Sequence, residues 1–238
     1  MPCAGRSQVY TGNYEHSLGP ARGYHRADTS WSAQKMATPF SILQIGRVLF
    51  QPSRVFAALA ERAPTAPAVF FGFALWLGLC PPLFAYIGTI NFGWRLGVAP
   101  LFLPNQTVAA VALAYFCMLL VGFLSTAVVS RWMASTYGAD VSLGAHFALI
   151  VMVAAPLTVG SIVHLYPNAF INVLVLVPTL IWSMYLLYRG LPIVLKIDPG
   201  RGMLMASALI AYLLVAWVSL LGITVVLWSR GLGPTLGA

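Results

Sequence analysis

Charged residues are scarce in this chain. Only 8% of its 238 residues are Asp, Glu, Lys or Arg, and 60% are hydrophobic. Soluble domains carry about 25% charged residues, and a soluble fold of this size would leave roughly a quarter to a third of its chain surface in water. The scarcity of charge therefore excludes a soluble globular domain and indicates an integral membrane protein.

One stretch lacks charge altogether: the 48 residues from Val141 to Tyr188 contain no Asp, Glu, Lys or Arg. A single helix of that length would extend roughly 70 Å at ~1.5 Å per residue, whereas the hydrocarbon core of a bilayer is about 30 Å thick. The sequence Tyr166-Pro167-Asn168 near its middle supplies a turn. The stretch therefore predicts a helical hairpin.

The residue patterns of catalysis are also missing. The chain has no paired carboxylates, no nucleophile motif with a base and no phosphate-binding loop. Its three cysteines, Cys3, Cys80 and Cys117, match no zinc or haem spacing. We therefore expect no enzymatic activity, no catalytic residue, no cofactor and no metal.

Two histidines fall within apolar segments. His146 and His164 are 18 residues apart, which is about 27 Å along a helix, so they cannot hold one metal together. Each is expected to be an interfacial or hydrogen-bonded histidine. A membrane enzyme that uses one of them is kept as a third functional hypothesis.

Five apolar segments predict five membrane-spanning helices, because a helix satisfies every backbone polar group within its own segment. A membrane domain of residues 64–230 contains them, at about 68–90, 107–130, 143–165, 169–188 and 203–228. The first span contains Pro81-Pro82, which are expected to kink or break it. Asp198 and Pro199, between the last two spans, begin a turn sequence and predict a solvated loop.

The basic residues are distributed unevenly around these spans. The net charge is +8, and eleven of the thirteen Lys and Arg fall on one side of a five-span arrangement, while only Arg95 and Arg230 fall on the other. This bias places the N-terminus in the cytoplasm and the C-terminus outside. Because the basic residues flank apolar spans, we expect no nucleic-acid partner.

The residues before the first span divide into two parts. Residues 1–38 are polar and predict a flexible N-terminal tail, and residues 231–238 are assigned to a C-terminal tail. Residues 39–63 predict two amphipathic helices that carry Arg47 and Arg54, separated at Pro52, with Ser53 capping the second. These helices either lie in the membrane interface near anionic headgroups or pack on the base of the protein.

An asparagine and several pairs of small residues inside the spans are expected to serve helix packing. Asn172 is expected to bond to Ser161 or Thr158 and hold a helix hairpin together. Small residues recur at four-residue spacing and allow helices to approach closely, either within the bundle or against another membrane protein; they include Ala110 with Ala114, Ala154 with Thr158, and Ser207 with Ala211.

Two segments resemble the Yip family. The first is VLFQPSRVF, from Val48 to Phe56, which resembles the segment ahead of the first span in prokaryotic Yip-domain proteins. The second is WSMYLLYRGLP, from Trp182 to Pro192, which resembles the aromatic fourth helix of that family with its Tyr-Leu-Leu-Tyr and Gly-Leu-Pro elements. Pro156 in the third span also fits. In this motif Gly190 and Pro192 are expected to end the helix.

The resemblance implies a five-helix membrane protein with a cytoplasmic N-terminus, in a bacterial inner membrane. Eukaryotic Yip proteins bind prenylated Rab-type GTPases and one another, but that role does not transfer by fold. The candidate interaction or structural residues are Arg47, Pro52, Arg54, Pro81, Pro82, Pro156, Asn172, Tyr185, Tyr188, Arg189, Gly190 and Pro192.

The leading functional hypothesis is a non-enzymatic membrane adaptor or accessory subunit. Its expected partners are membrane lipid and other proteins, either a larger membrane complex or further copies of the chain. The alternative is a small permease or lipid-handling protein, in which a first span broken at Pro81-Pro82 forms a binding site, as discontinuous helices do in transporters.

Overall fold

The described part of the chain is all-α, as predicted. The computed structural model describes residues 42–95 and 99–230, and the predicted tails 1–38 and 231–238 lie outside these ranges. Within the described residues, extended pairing is limited to two isolated bridges near one end of the bundle.

Two short helices precede five long ones. The short helices are α1 (Ile42–Phe50) and α2 (Pro52–Glu61). The long helices are α3 (Ala66–Phe92), α4 (Asn105–Thr136), α5 (Leu143–Gly160, continued by the 3₁₀ turn Ser161–Leu165), α6 (Ala169–Leu195) and α7 (Pro199–Ser229). All five long helices are long and apolar enough to cross a membrane, which confirms the predicted five-span architecture.

Helix α5 occupies the centre of the bundle. Half of its most apolar 18-residue window is buried, compared with 6% for α4 and for α7. Its side chains are apolar on all faces, as expected for a helix surrounded by other helices, and Phe147, Leu149 and Met152 are fully buried. Helices α3, α4 and α6 pack against α5, whereas α7 packs against α6 and α4.

Helix α3 passes through its prolines without a break; of the two predicted outcomes the break is therefore wrong, and the kink stays a prediction. Pro81 and Pro82 both lie inside the helix and are buried. The irregular part comes earlier, where Phe70–Ala74 forms a π-helical segment. A proline removes one backbone hydrogen bond, but the tightly packed wall of the bundle keeps the neighbouring turns helical. The Cys80 thiol also donates to the backbone carbonyl of Trp76 at 3.3 Å.

Helix α6 also continues where the sequence predicts its end. It runs through Gly190 and Pro192 to Leu195, and the chain turns only at Lys196, which has a φ of 55°. Leu191, Val194 and Leu195 are buried. Burial of this last turn outweighs the bond that Pro192 cannot make, so the predicted stop is wrong.

The predicted loop at Asp198 is instead the start of a helix. Pro199 is the first residue of α7, and the Asp198 carboxylate accepts from the backbone N–H of Gly200 at 2.9 Å and of Arg201 at 3.4 Å. Asp is a favoured capping residue and proline suits the first helical position. The same residue types serve turns and helix starts, which explains the wrong prediction.

Helices α1 and α2 pack on the bundle, which is one of the two predicted alternatives. Val48, Phe56 and Leu59 are buried. Ser53 does not cap α2, because it lies inside the helix; Gln51, the residue before the helix, occupies the cap position and makes no side-chain cap bond. The hydroxyl of Ser53 instead accepts from Arg189 at 3.4 Å.

Candidate functional site

Gly190 allows helix α2 to lie directly on helix α6. A Cβ built on Gly190 would lie 2.8 Å from Leu149 Cδ1 and 2.9 Å from the ring of Phe56, closer than side chains pack. The glycine of the Tyr-Leu-Leu-Tyr motif therefore serves close approach between three elements rather than helix termination. Phe56, the residue that fills this space, is fully buried.

The rest of the motif joins α6 to the beginning of α7. The hydroxyls of Tyr188 and Ser207 are 2.9 Å apart, and a Cβ on Gly202 would lie 2.7 Å from Pro192. The segment from Tyr185 to Pro192 is therefore the place where α2, α6 and α7 meet. Arg47 lies on the exposed side of α1.

Three side chains line up along the face of α6 that leads away from the junction. Trp182, Tyr185 and Arg189 are spaced three and four residues apart, which places them on one side of a helix. The rings of Trp182 and Tyr185 are 5.2 Å apart between centroids. This spacing is visible in the sequence, but Trp182 was not among the predicted site residues.

A groove of about 440 Å³ separates this face of α6 from the α1–α2 corner. We call it the α1–α6 groove; it is lined by Leu49, Phe50, Pro52, Trp182 and Tyr185. Its walls are apolar or aromatic, and Phe50 is 85% exposed. Of the predicted residues, Pro52 and Tyr185 lie in the groove itself.

Two arginine side chains hydrogen-bond to the residues on either side of Pro52. Arg54 Nη1 donates to Gln51 Oε1 at 3.1 Å, and Arg189 Nε donates to Ser53 Oγ at 3.4 Å. The structure records no carboxylate partner for either arginine within residues 42–95 and 99–230. Pro52 lines the groove, and we call this edge of the groove its mouth. Two positive charges, which no carboxylate of the described residues pairs, therefore lie beside the mouth.

A second polar cluster lies at the opposite end of α5. His164 Nδ1 hydrogen-bonds to Asn172 Oδ1, and Asn172 Nδ2 donates to the backbone carbonyl of Asn168 at 2.8 Å. Asn172 therefore joins α5 to α6, as expected, but its partner is His164 rather than Ser161 or Thr158. Ser161 donates to the carbonyl of Thr158 at 2.6 Å.

This cluster borders a small cavity that we call the Ser161 pocket. Its volume is about 190 Å³, and its polar lining residues are Tyr115, Thr158, Ser161 and His164. Pro81 also lines it, whereas no contact brings Pro82 or Pro156 to either site. The oxygen and nitrogen atoms in this lining could hydrogen-bond a small polar group of a ligand.

Near this pocket, α3 and the loop after it close against the turn between α5 and α6. A Cβ on Gly88 would overlap the carbonyl oxygen of His164, so the two segments are in backbone contact. Arg95 Nη1 donates to the hydroxyl of Tyr166 at 3.0 Å, and the guanidinium lies 5.2 Å from the centre of that ring.

His146 is isolated from both sites. Its Nδ1 lies 2.9 Å from Ser130 Oγ, both side chains are buried, and Nε2 has no partner among the described residues. The described residues contain no group of three or more His, Cys, Asp and Glu side chains that could hold a metal ion. His146 therefore serves as a buried link between α4 and α5.

Comparison with known proteins identifies the family. A family model described as the Yip1 domain matches residues 46–220. The chain belongs to the Yip1-domain family. The matched range begins in α1 and ends in α7, so the Yip1 domain contains the α1–α6 groove, the Ser161 pocket, the long helices α3 to α6 and most of α7. The resemblance deduced from the two sequence segments is thereby confirmed.

The Yip1-domain chain is similar to the inner membrane protein YohC of Escherichia coli strain K12. The two are 30% identical over 181 residues, which are 76% of this chain and 93% of YohC. YohC of Escherichia coli O6:H1 gives the same identity and coverage. No solved structure matches the chain significantly.

Proposed function

We propose that this Yip1-domain protein is a non-enzymatic adaptor or accessory subunit that packs laterally against other membrane proteins. The observation that carries the proposal is the second half of α7. Beyond Leu209, which is fully buried, the helix leaves its neighbours, and Leu214, Val215 and Val218 are 57%, 67% and 63% exposed. The stretch from Ala211 to Val226 is about 24 Å of apolar helix.

Helix α4 supports the same proposal. Ala110 and Ala114 are exposed, so this pair of small residues does not pack inside the described bundle. Lipid tails are as apolar as the helices, so association in a membrane depends on close packing, which small residues permit. The partner that fits these faces is a transmembrane helix, from a larger complex or from a second copy.

The membrane and the orientation are part of this proposal. The name of the relative YohC and the bacterial character of the resemblance support an inner membrane. The excess of Lys and Arg on one side of the spans supports a cytoplasmic N-terminus.

The two histidines of the apolar segments do not favour a catalytic role. His146 is buried, and His164 is already bonded to Asn172.

Site-specific photocrosslinking in cells tests the adaptor role. A benzophenone amino acid at Val218 on α7, at native expression level, should give a discrete crosslinked protein species. The matched control is Val173 on α6, which is exposed to a similar extent, 61% against 63%, and should give lipid adducts without that species. A chain that forms no protein crosslink at Val218 and purifies alone in mild detergent would contradict the proposal.

The Ser161 pocket favours a second candidate function, a small permease or lipid-handling protein. The break at Pro81 and Pro82 no longer supports this alternative, but a cavity with hydroxyl and imidazole groups inside an apolar bundle does. In reconstituted vesicles, ion flux or lipid transbilayer movement should then fall in the double variant Ser161→Ala, His164→Phe. If vesicles containing the unmodified protein showed the same ion flux and the same lipid transbilayer movement as protein-free vesicles, this candidate would be excluded.

A further inference from the structure

The α1–α6 groove combines an apolar interior with a positively charged mouth. Phe50, Trp182 and Tyr185 give it aromatic walls, and all three are exposed in the described chain. Its volume of about 440 Å³ is within the range of about 300–1,000 Å³ that is typical of ligand sites. The described residues leave the groove open.

Arginine side chains define what the mouth can bind. Arg54 and Arg189 are held at the two sides of Pro52 by Gln51 and Ser53. A guanidinium group is planar and presents paired N–H donors, which match the oxygens of a phosphate. Neither arginine has a carboxylate partner among the described residues. Both guanidinium groups are therefore available to pair with a phosphate.

The distance between charge and apolar wall matches a phospholipid. Arg189 and Trp182 lie on the same face of α6, seven residues apart, which is about 10 Å along the helix. Aromatic residues such as Trp182 and Tyr185 are typical of the membrane interface. A headgroup phosphate at Arg189 therefore directs the upper part of an acyl chain along Tyr185 and Trp182.

The chain's own tail is a poorer occupant of the groove. Residues 1–38 carry four basic side chains and two acidic ones, so their net charge has the same sign as the mouth. Phospholipid, by contrast, surrounds every integral membrane protein. Charge complementarity therefore favours lipid over the tail.

We propose that the α1–α6 groove is a binding site for one anionic phospholipid, with the phosphate on Arg54 and Arg189 and an acyl chain between Phe50 and Trp182. This site is independent of the proposed adaptor role, since it uses a different face of the protein from the exposed half of α7.

Native mass spectrometry of the purified full-length protein tests the site. Dioleoyl phosphatidylglycerol and dioleoyl phosphatidylcholine are titrated into detergent-solubilised protein, and the affinity for the first bound lipid is measured. We expect the protein to prefer phosphatidylglycerol by about fivefold or more, which is the effect of one near-surface basic residue. Equal affinities for the two lipids would overturn the proposal.

A charge-matched pair of variants locates the site. The double variant Arg54→Gln, Arg189→Gln should lose the preference for phosphatidylglycerol. The control Arg62→Gln, Arg201→Gln removes the same charge from other exposed arginines and should keep it. Equal loss in both variants would show general surface attraction and contradict a defined site.

Two further measurements distinguish a phospholipid from a free phosphate and need no variant. Soluble glycerophosphoglycerol at millimolar concentration should not displace phosphatidylglycerol, because it lacks the chain that fills the groove; full displacement would overturn the phospholipid assignment. Phosphatidylglycerol with a photoreactive acyl chain should label peptides containing Phe50 or Trp182. Labelling spread evenly over the exposed faces of α4 and α7 would contradict the groove.

Discussion

Gly190 has its place in this fold because of what it touches. The sequence pattern suggests a helix terminator, but the residue is inside α6 and faces Phe56 and Leu149 at distances that leave no room for a methyl group. The close packing of α2 against α6 thus depends on the lack of a side chain at Gly190.

Replacement of Gly190 by Ala should destabilise the protein. We expect a loss of about 1–3 kcal/mol, the usual effect of overpacking a close-packed site, measured by denaturant titration in detergent. Gly122→Ala in α4 is the matched control, because nothing lies within 4 Å of its added Cβ; it should be neutral or stabilise the helix by up to about 1 kcal/mol. Equal stability of the two variants would show that Phe56 can move aside.

The hydrogen bond between His164 and Asn172 is the polar contact that joins α5 to α6 near their shared turn. Asn172 Nδ2 donates to Asn168 O, so its Oδ1 is free to accept, and His164 Nδ1 is then the donor. Sequence analysis found Asn172 but not this partner, because which side chain of the α5 end meets Asn172 depends on how the two helices pack after the turn.

A double-mutant cycle of His164→Ala and Asn172→Ala should give a coupling free energy of about 0.6–2 kcal/mol, as for other hydrogen bonds between membrane helices. The cycle is measured by thermal or denaturant unfolding in detergent. Additive effects of the two substitutions would mean that the bond contributes nothing to stability.

At the scale of the element, α6 shows how packing extends a helix past residues that usually stop it. Its last turn contains Pro192 and is nevertheless helical to Leu195, with Leu191, Val194 and Leu195 buried. The same burial explains why Pro81 and Pro82 leave α3 unbroken. A proline costs a helix one hydrogen bond, whereas close packing of the buried side chains around it stabilises the helical turn.

Hydrogen exchange measures the end of α6 directly. We expect the amides of Val194 and Leu195 to be protected to the same degree as that of Leu187, because all three lie within one packed helix. The amide of Phe102, an exposed residue in the loop before α4, provides a rapidly exchanging comparison. Fast exchange at Val194 and Leu195 would indicate that the helix stops at Gly190 after all.

For the whole molecule, the number of spans determines the relation between its ends. Five helices could each span a membrane, and an odd number of spans predicts that the two ends of the chain lie on opposite sides of it. The Lys and Arg residues are concentrated on the side of the first span's N-terminal end, and by the positive-inside rule we expect this side to be the cytoplasmic one. In this proposed orientation the α1–α6 groove faces the cytoplasmic leaflet.

Reporter fusions test this topology. Green fluorescent protein should be fluorescent at the N-terminus and alkaline phosphatase should be active at the C-terminus, since the former folds in the cytoplasm and the latter in the periplasm. The reciprocal fusions are the controls and should be inactive. Two ends in the same compartment would contradict the five-span arrangement.

The sequence alone determined the class of the protein through its composition, and the number and approximate positions of the spans through its apolar segments. These properties depend on local apolarity and on the ~30 Å thickness of the bilayer, and neither requires knowledge of which helices touch. The Yip resemblance likewise rests on two short segments, and the family match confirms it.

Tertiary structure decided where the helices end, which partner Asn172 takes and how Arg54 and Arg189 come to flank Pro52. The physical reason is that each of these depends on neighbours distant in the chain. Ser53 and Arg189, for example, are 136 positions apart. Local propensity therefore predicts a helix cap at Ser53 and a helix end near Arg189. Packing brings the two side chains together beside one groove.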